Sequence, residues 1–302
     1  MLGSTTPQTR RAAGDSLLLT LQQVIGSSTH VVAQHALSQL LPPTVLFWRS
    51  LFAATAALLW LLRHRHLQRL FHLAPPSDML QLLLLGALAV PLNQWCFFAG
   101  VRLTTAANAS LLYALTPVWA LLLSRLLHQE RITRPKVLGI LLSFTGVLFV
   151  LAEKEFAFGP HHTLGNLLLL CASLAWASFT VLSRRLALRY GALPTTAVSM
   201  LTGWLLYLPI WFLLGAPLQF AQLTPILWAE LLYMGIVTSG IGYFLWLVPL
   251  RHMEPSRVAI FSTLQPVFTT VVTIPLFGFA PTPAFLLGGL LIIAGVILTQ
   301  YR

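Results

Sequence analysis

The sequence predicts an all-α integral membrane protein, with ten transmembrane helices arranged as two inverted five-helix repeats. Three observations carry this expectation. Of 302 residues, 57% are hydrophobic and only 8% are charged, whereas soluble domains carry about 25% charged residues. So few charges could not cover a surface in water. The apolar residues fall into ten long runs, and the second half of the chain repeats the first in register.

Residues 1–14 form a short tail in which Arg10 and Arg11 precede the first run as a topology anchor. The runs then lie at 15–40, 43–62, 79–101, 106–127, 136–152, 164–187, 194–214, 225–250, 256–277 and 283–300. These lengths suit helices, which need roughly 17–25 residues to span a bilayer. Barrel strands would be about ten residues long with alternating polarity. The breaks carry Pro, Gly, Arg or His, as in RHRHLQRLFHLAPPSD (63–78) and HQERITRPK (128–136). Residues 153–163 read as a periplasmic linker between a first repeat, 15–152, and a second, 164–302.

Basic residues set the orientation. With the N-terminus inside, 15 of the 18 Lys and Arg fall in cytoplasmic segments, leaving Arg102 and Lys154 outside and Arg49 within a span. That excess is the positive-inside pattern, and it puts both termini in the cytoplasm. It also accounts for the net charge of +11 without a nucleic-acid partner, since the arginines form no continuous basic face. Cys96 and Cys171 both lie inside apolar runs and suggest neither a disulfide framework nor a metal site. No cofactor is implied.

The repeat shows when the chain is aligned with itself at an offset of 149. Gly86 then meets Gly235, Arg102 meets Arg251, Pro117-Val118 meets Pro266-Val267, and Gly139 and Gly146 meet Gly288 and Gly295. Upstream the offset is 151, pairing Ser27 with Ser178 and Pro43-Thr44 with Pro194-Thr195. Prolines and glycines in fixed register are informative because each constrains the backbone. Five spans per unit is an odd number, so the copies cross the membrane in opposite senses. That architecture typifies secondary transporters, with the substrate site at the repeat interface near the midplane.

The stretches TPVWALLLSRLLHQERITRPKVLGILLSFTGVLFVL (116–151) and QPVFTTVVTIPLFGFAPTPAFLLGGLLIIAGVIL (265–298) resemble the drug/metabolite transporter superfamily in its EamA-domain branch. The shared pattern is Pro-Val, then Glu, Gly and Gly at Glu130, Gly139 and Gly146, with Arg49 in the second span as a further point of likeness. The second copy departs from it, placing Phe279 where the first has Glu130. The resemblance implies a transporter, not an enzyme, exporting a small metabolite such as an amino acid across a bacterial inner membrane as a monomer or homodimer. Two alternatives stand beside it: a nucleotide-sugar or lipid-precursor carrier on the same fold, and a membrane-embedded lipid-modifying enzyme. The enzyme would need a clustered catalytic set that the sequence does not offer.

Candidate binding residues are the polar and aromatic groups that lipid cannot satisfy. Arg49, six residues past Pro43, requires a partner inside the protein; Glu230 or a substrate carboxylate could serve. The acidic residues all lie in loops or near span ends, which argues against a cationic substrate held by a midplane carboxylate and favours a neutral, zwitterionic or anionic solute. In QQVIGSSTHVVAQ (22–34), Gln23, Ser27, His30 and Gln34 share one helical face. We expect His30 and Gln34 to line a central cavity with Arg49, Asn93, Tyr113, Trp176, Tyr243 and Gln265. Pro117 and Pro266 should interrupt their helices, freeing the carbonyls of Tyr113 and Ser262.

Overall fold

The computed structural model describes residues 7–64, 74–104, 106–152, 159–277 and 282–301. Within them the chain forms ten helical passes. They are α1 (Pro7–Gln39), α2 (Pro42–Arg63), α3 (Pro76–Leu103), α4 in two pieces (Ala106–Tyr113 and Thr116–Leu126) and α5 (Arg134–Val150). Then come α6 (Pro160–Tyr190), α7 (Ala192–Leu213), α8 (Pro225–Arg251), α9 and α10 (Pro283–Gln300). Helix α9 has three pieces, Pro255–Ala259, a tight 3₁₀ stretch Ile260–Leu264, and Gln265–Phe277. Proline opens most of these helices, where its missing N–H costs nothing and its fixed φ suits the first turn.

Among the described residues, seven helices are individually long and apolar enough to cross a membrane: α2, α3, α4, α6, α7, α8 and α10. The other three fall short for visible reasons. The polar run from Gln22 to Thr29 dilutes α1, α5 has 17 residues, and α9 is interrupted. Helix α1 also begins at Pro7, well before the expected boundary at residue 15.

The repeats meet symmetrically. Helices α5 and α10 cross where glycines bring backbones together: a Cβ on Gly146 would lie 2.6 Å from the carbonyl oxygen of Gly288, and one on Gly295 2.5 Å from that of Gly139. Ser143 Oγ donates across the same crossing to Ile292 O at 3.2 Å. Helices α3 and α8, mates in the repeat, both contain wide π-helical turns, at Leu88–Gln94 and Tyr233–Ile241. Such turns concentrate at functional sites. The prolines at 117 and 266 also act as a pair, each restarting its helix after a break. The carbonyls they free stay within the fold: Thr116 Oγ1 donates to Tyr113 O at 2.6 Å, and the N–H of Gln265 bonds to Ser262 O.

The ends of the helices alternate between two faces. The face carrying both chain ends, here the terminal face, holds most of the ion pairs. Asp78, fully buried, accepts from Arg185 (2.9 Å), Arg189 (2.7 Å) and Tyr190 (2.7 Å). Glu130 accepts from Lys136 Nζ (2.6 Å), Ser256 N (3.1 Å) and Ser256 Oγ (2.7 Å), tying the α4–α5 loop to the start of α9. Lys136, 1% exposed, also pairs with Glu254 at 3.0 Å. The repeat mate of Glu130, Phe279, lies outside the described residues.

Candidate functional site

A cavity of about 100 Å³ lies between the repeats, lined from α1, α2, α3, α4, α6, α8 and α9. Its wall contains Arg49, Asn93, Tyr113, Trp176, Tyr243 and Gln265, six of the residues singled out from sequence, together with Gln22, Gly26, Thr29, Gln94, Phe97 and Thr238. Toward the terminal face it is backed by Ile260–Leu264 of α9 and by Leu19, Trp246 and Leu250, all buried. Away from that face Thr29, Phe97 and Tyr113 are only partly buried.

The wall is held by a chain of polar contacts. Asn93, in the π-turn of α3, donates to Tyr113 Oη (2.8 Å) and to Ala172 O (2.9 Å), joining α3 to α4 and α6. Gln94 Nε2 donates to Tyr243 Oη at 3.2 Å, and Tyr243 Oη is 3.4 Å from Ala89 O. Gln94 and Tyr243 are themselves repeat mates, 149 residues apart, so this bond sits on the pseudo-two-fold axis. Trp176 meets Tyr243 edge-on at 4.9 Å and lies 5.5 Å from the Phe179 ring. Behind them Trp246 Nε1 donates to Thr180 Oγ1 at 2.9 Å. The result is an aromatic wall whose polar tips are tied down.

Arg49 is the one charged group in the wall. It is 7% exposed, its Nε donates to Ser239 Oγ at 2.8 Å, and its guanidinium lies 5.6 Å from the centre of the Phe98 ring. The suggested partner, Glu230, is not there: it pairs instead with His35 at 2.7 Å, near the opposite face. Sequence depth put Glu230 and Arg49 close together, but Arg49 reaches Ser239, more than two turns further along α8. Every acidic side chain among the described residues is engaged elsewhere. Asp15 pairs with His252, Asp78 with Arg185 and Arg189, Glu130 with Lys136, and Glu254 with Lys136 and Arg257. Among those residues, none neutralises Arg49.

The expectation for α1 needs correcting. Its cavity face is Gln22, Gly26 and Thr29, one position earlier than the expected stripe. Gln23 and Ser27 are buried; Ser27 Oγ lies 2.7 Å from Gln23 O and 3.2 Å from Gln265 O, so it packs α1 against α9. Hydroxyls that bond back to their own helix satisfy themselves at small cost and can face a packed seam, which is why polarity alone misplaced this face. Gln34 is exposed beyond the cavity and forms no part of its wall. His30 falls on α1, but its side chain lies outside the described part of the structure. Of the residues not anticipated as binding groups, Gln22, Thr29 and Gln94 had a signal as polar interruptions of apolar runs. Gly26, Phe97 and Thr238 had none.

Comparison with known proteins agrees with this architecture. The family model of EamA-like transporters matches residues 15–152 and again 163–301. An uncharacterized transporter of Archaeoglobus fulgidus is 29% identical over 289 residues, covering 95% of this chain and 97% of the relative. A protein of Salmonella typhimurium named a probable amino-acid metabolite efflux pump is 30% identical over 247 residues, 77% of this chain and 80% of that one. A solved crystal structure superposes with a TM-score of 0.78 at 20% identity, covering 95% of this chain and 96% of the other, a likeness of fold.

Proposed function

The chain belongs to the EamA-like transporter family, a multi-pass membrane transporter with two EamA repeats, and from that premise we propose that it exports a small carboxylate-bearing metabolite, an amino acid or related solute, by alternating access. The observation that carries this reading is the buried guanidinium of Arg49 in the cavity wall, with every described carboxylate paired elsewhere. Burying an ion without a partner costs several kcal/mol, and a substrate carboxylate offsets that cost when it binds. Arg presents a planar fork that matches a carboxylate bidentately, which Lys cannot do. The aromatic wall and amides beside it suit the rest of a small organic solute. Outward transport is supported by the name of the Salmonella typhimurium relative.

The test is solute counterflow in proteoliposomes with a panel of small amino acids and other carboxylates, comparing wild type with Arg49→Lys. We expect the Lys variant to fold and to transport at least about tenfold more slowly, the scale of one charge-assisted hydrogen bond. Normal kinetics in that variant would sink the carboxylate assignment.

We place the protein in a bacterial inner membrane with both termini cytoplasmic. Cysteines introduced singly at His128 and His161, both exposed and on opposite faces of the helical bundle, check this after Cys96 and Cys171 are replaced. In intact cells an impermeant thiol reagent should label position 161 and spare 128. The reverse pattern means the opposite orientation.

A further inference from the structure

We infer that Gln94 is a specificity-determining residue: its side-chain carbonyl selects, among small carboxylates, those carrying a hydrogen-bond donor next to the acid group. The inference rests on the carboxylate reading of Arg49 and adds to it a second contact point on the substrate.

Gln94 is 4% exposed and lines the cavity. Its Nε2 is used on Tyr243, but its Oε1 has no hydrogen-bond partner among the described residues. Tyr243 Oη lies 3.4 Å from Ala89 O; with its single hydrogen directed there it offers Gln94 a lone pair, the amide nitrogen faces Tyr243 at 3.2 Å, and the carbonyl oxygen is the unsatisfied group. Buried acceptors are nearly always paired in folded proteins, and an unpaired one in a cavity wall points to an absent donor.

Position connects this acceptor to Arg49. Arg49 bonds Ser239, Gln94 bonds Tyr243, and those two residues lie four apart on α8. Cation and acceptor are thus anchored to side chains one helical turn apart on α8, in the wall of one cavity of about 100 Å³. A solute whose carboxylate sits on Arg49 brings its α-substituent toward Gln94. An α-ammonium or α-hydroxyl donates to Oε1, whereas an α-oxo group sets two lone pairs against each other. A site built around a hydrogen bond rejects analogues that cannot make it.

Alanine, lactate and pyruvate provide the comparison, since they share a three-carbon skeleton and a carboxylate but differ at the α-position. Binding to the purified protein in nanodiscs is read by tryptophan fluorescence, with Trp176 in the wall as reporter. Wild type should bind alanine and lactate about tenfold to a hundredfold more tightly than pyruvate. In Gln94→Met, similar in shape but without a polar end, the three affinities should converge to within about threefold. Tyr243→Phe, which releases the amide from its fixed orientation, should narrow the same ratios while keeping Gln94 itself. A preserved preference in Gln94→Met or in Tyr243→Phe, with binding still abolished by Arg49→Met, overturns the role of Gln94 and leaves the carboxylate reading standing. If wild type binds none of the three, the carboxylate reading fails and this inference fails with it.

Discussion

Two pairs of repeat mates have met different fates. Helices α5 and α10 still mirror one another: Gly139 and Gly146 in one, Gly288 and Gly295 in the other, with Gly139 packed against Gly295 and Gly146 against Gly288. Helices α1 and α6 have diverged. Gln22, Gly26 and Thr29 of α1 face the cavity, whereas their mates Ser173, Ala177 and Thr180 are buried, with Thr180 occupied by Trp246. Arg49 likewise has Met200 as its mate, also buried. Symmetry persists where backbones touch, because only glycine fits there. It is lost around the cavity, as recognition of an asymmetric solute would require.

The comparison can be broken most severely at the glycine crossing. Gly146→Leu should abolish folded protein, since its Cβ would meet backbone atoms of Gly288 and Ile292 that no rotamer change can move; overpacking of this kind costs about 1–3 kcal/mol even in forgiving cores. Size-exclusion and thermal-denaturation measurements in detergent would reveal it, and a monodisperse, wild-type-like variant would refute it. Next comes the end of the same helix, where the mates do differ: Lys136 in α5 against Phe285 in α10. Lys136→Met strips the cation from Glu130 and should lower stability by about 3–5 kcal/mol, the usual penalty for removing one partner of a buried pair. A thermal shift no larger than that of an exposed control such as Arg125→Met would contradict it. The smallest effect sharpens the assignment of α1. Gln22 Oε1 accepts from Gln23 Nε2, so both variants lose that bond, and Gln22→Leu should lower substrate affinity more than Gln23→Leu, which keeps the cavity-facing amide. Equal effects on transport would place the cavity face elsewhere.

Much of the fold was legible because its determinants are local. Prolines mark the helix starts, the apolar run lengths match a bilayer, and glycines in register expose the duplication. Six cavity residues were legible for a related reason: Arg49, Asn93 or Gln265 inside an apolar run has no lipid-facing solution. What stayed hidden was rotation and register. Gln22 and Gln23 are adjacent and chemically identical, so composition cannot say which one turns toward the cavity. The π-turns of α3 and α8 shift the facing of every residue beyond them; Pro91 marks the first, whereas the second holds no proline. The pairing of Glu230 with His35 escaped because depth along a helix was known and direction around it was not.

The contacts of α3 with α6 carry a mechanical consequence. These two helices are riveted along their whole length: Asp78 to Arg185, Arg189 and Tyr190, Gln81 to Leu182 O at 2.7 Å, Asn93 to Ala172 O, and the Gly100–Gly165 approach, with Thr104 to Asn166 at 2.9 Å just beyond. Helix α1 is fastened to α8 in the same way, through Asp15–His252, Ser28–Tyr233 at 2.6 Å and His35–Glu230. Each rivet joins one repeat to the other. If the protein works by the alternating access proposed above, the parts expected to rock are therefore not the two halves of the sequence but two composite blocks, each assembled from both copies. The cavity lies along the joint between them, with Gln94–Tyr243 among the bonds that cross it.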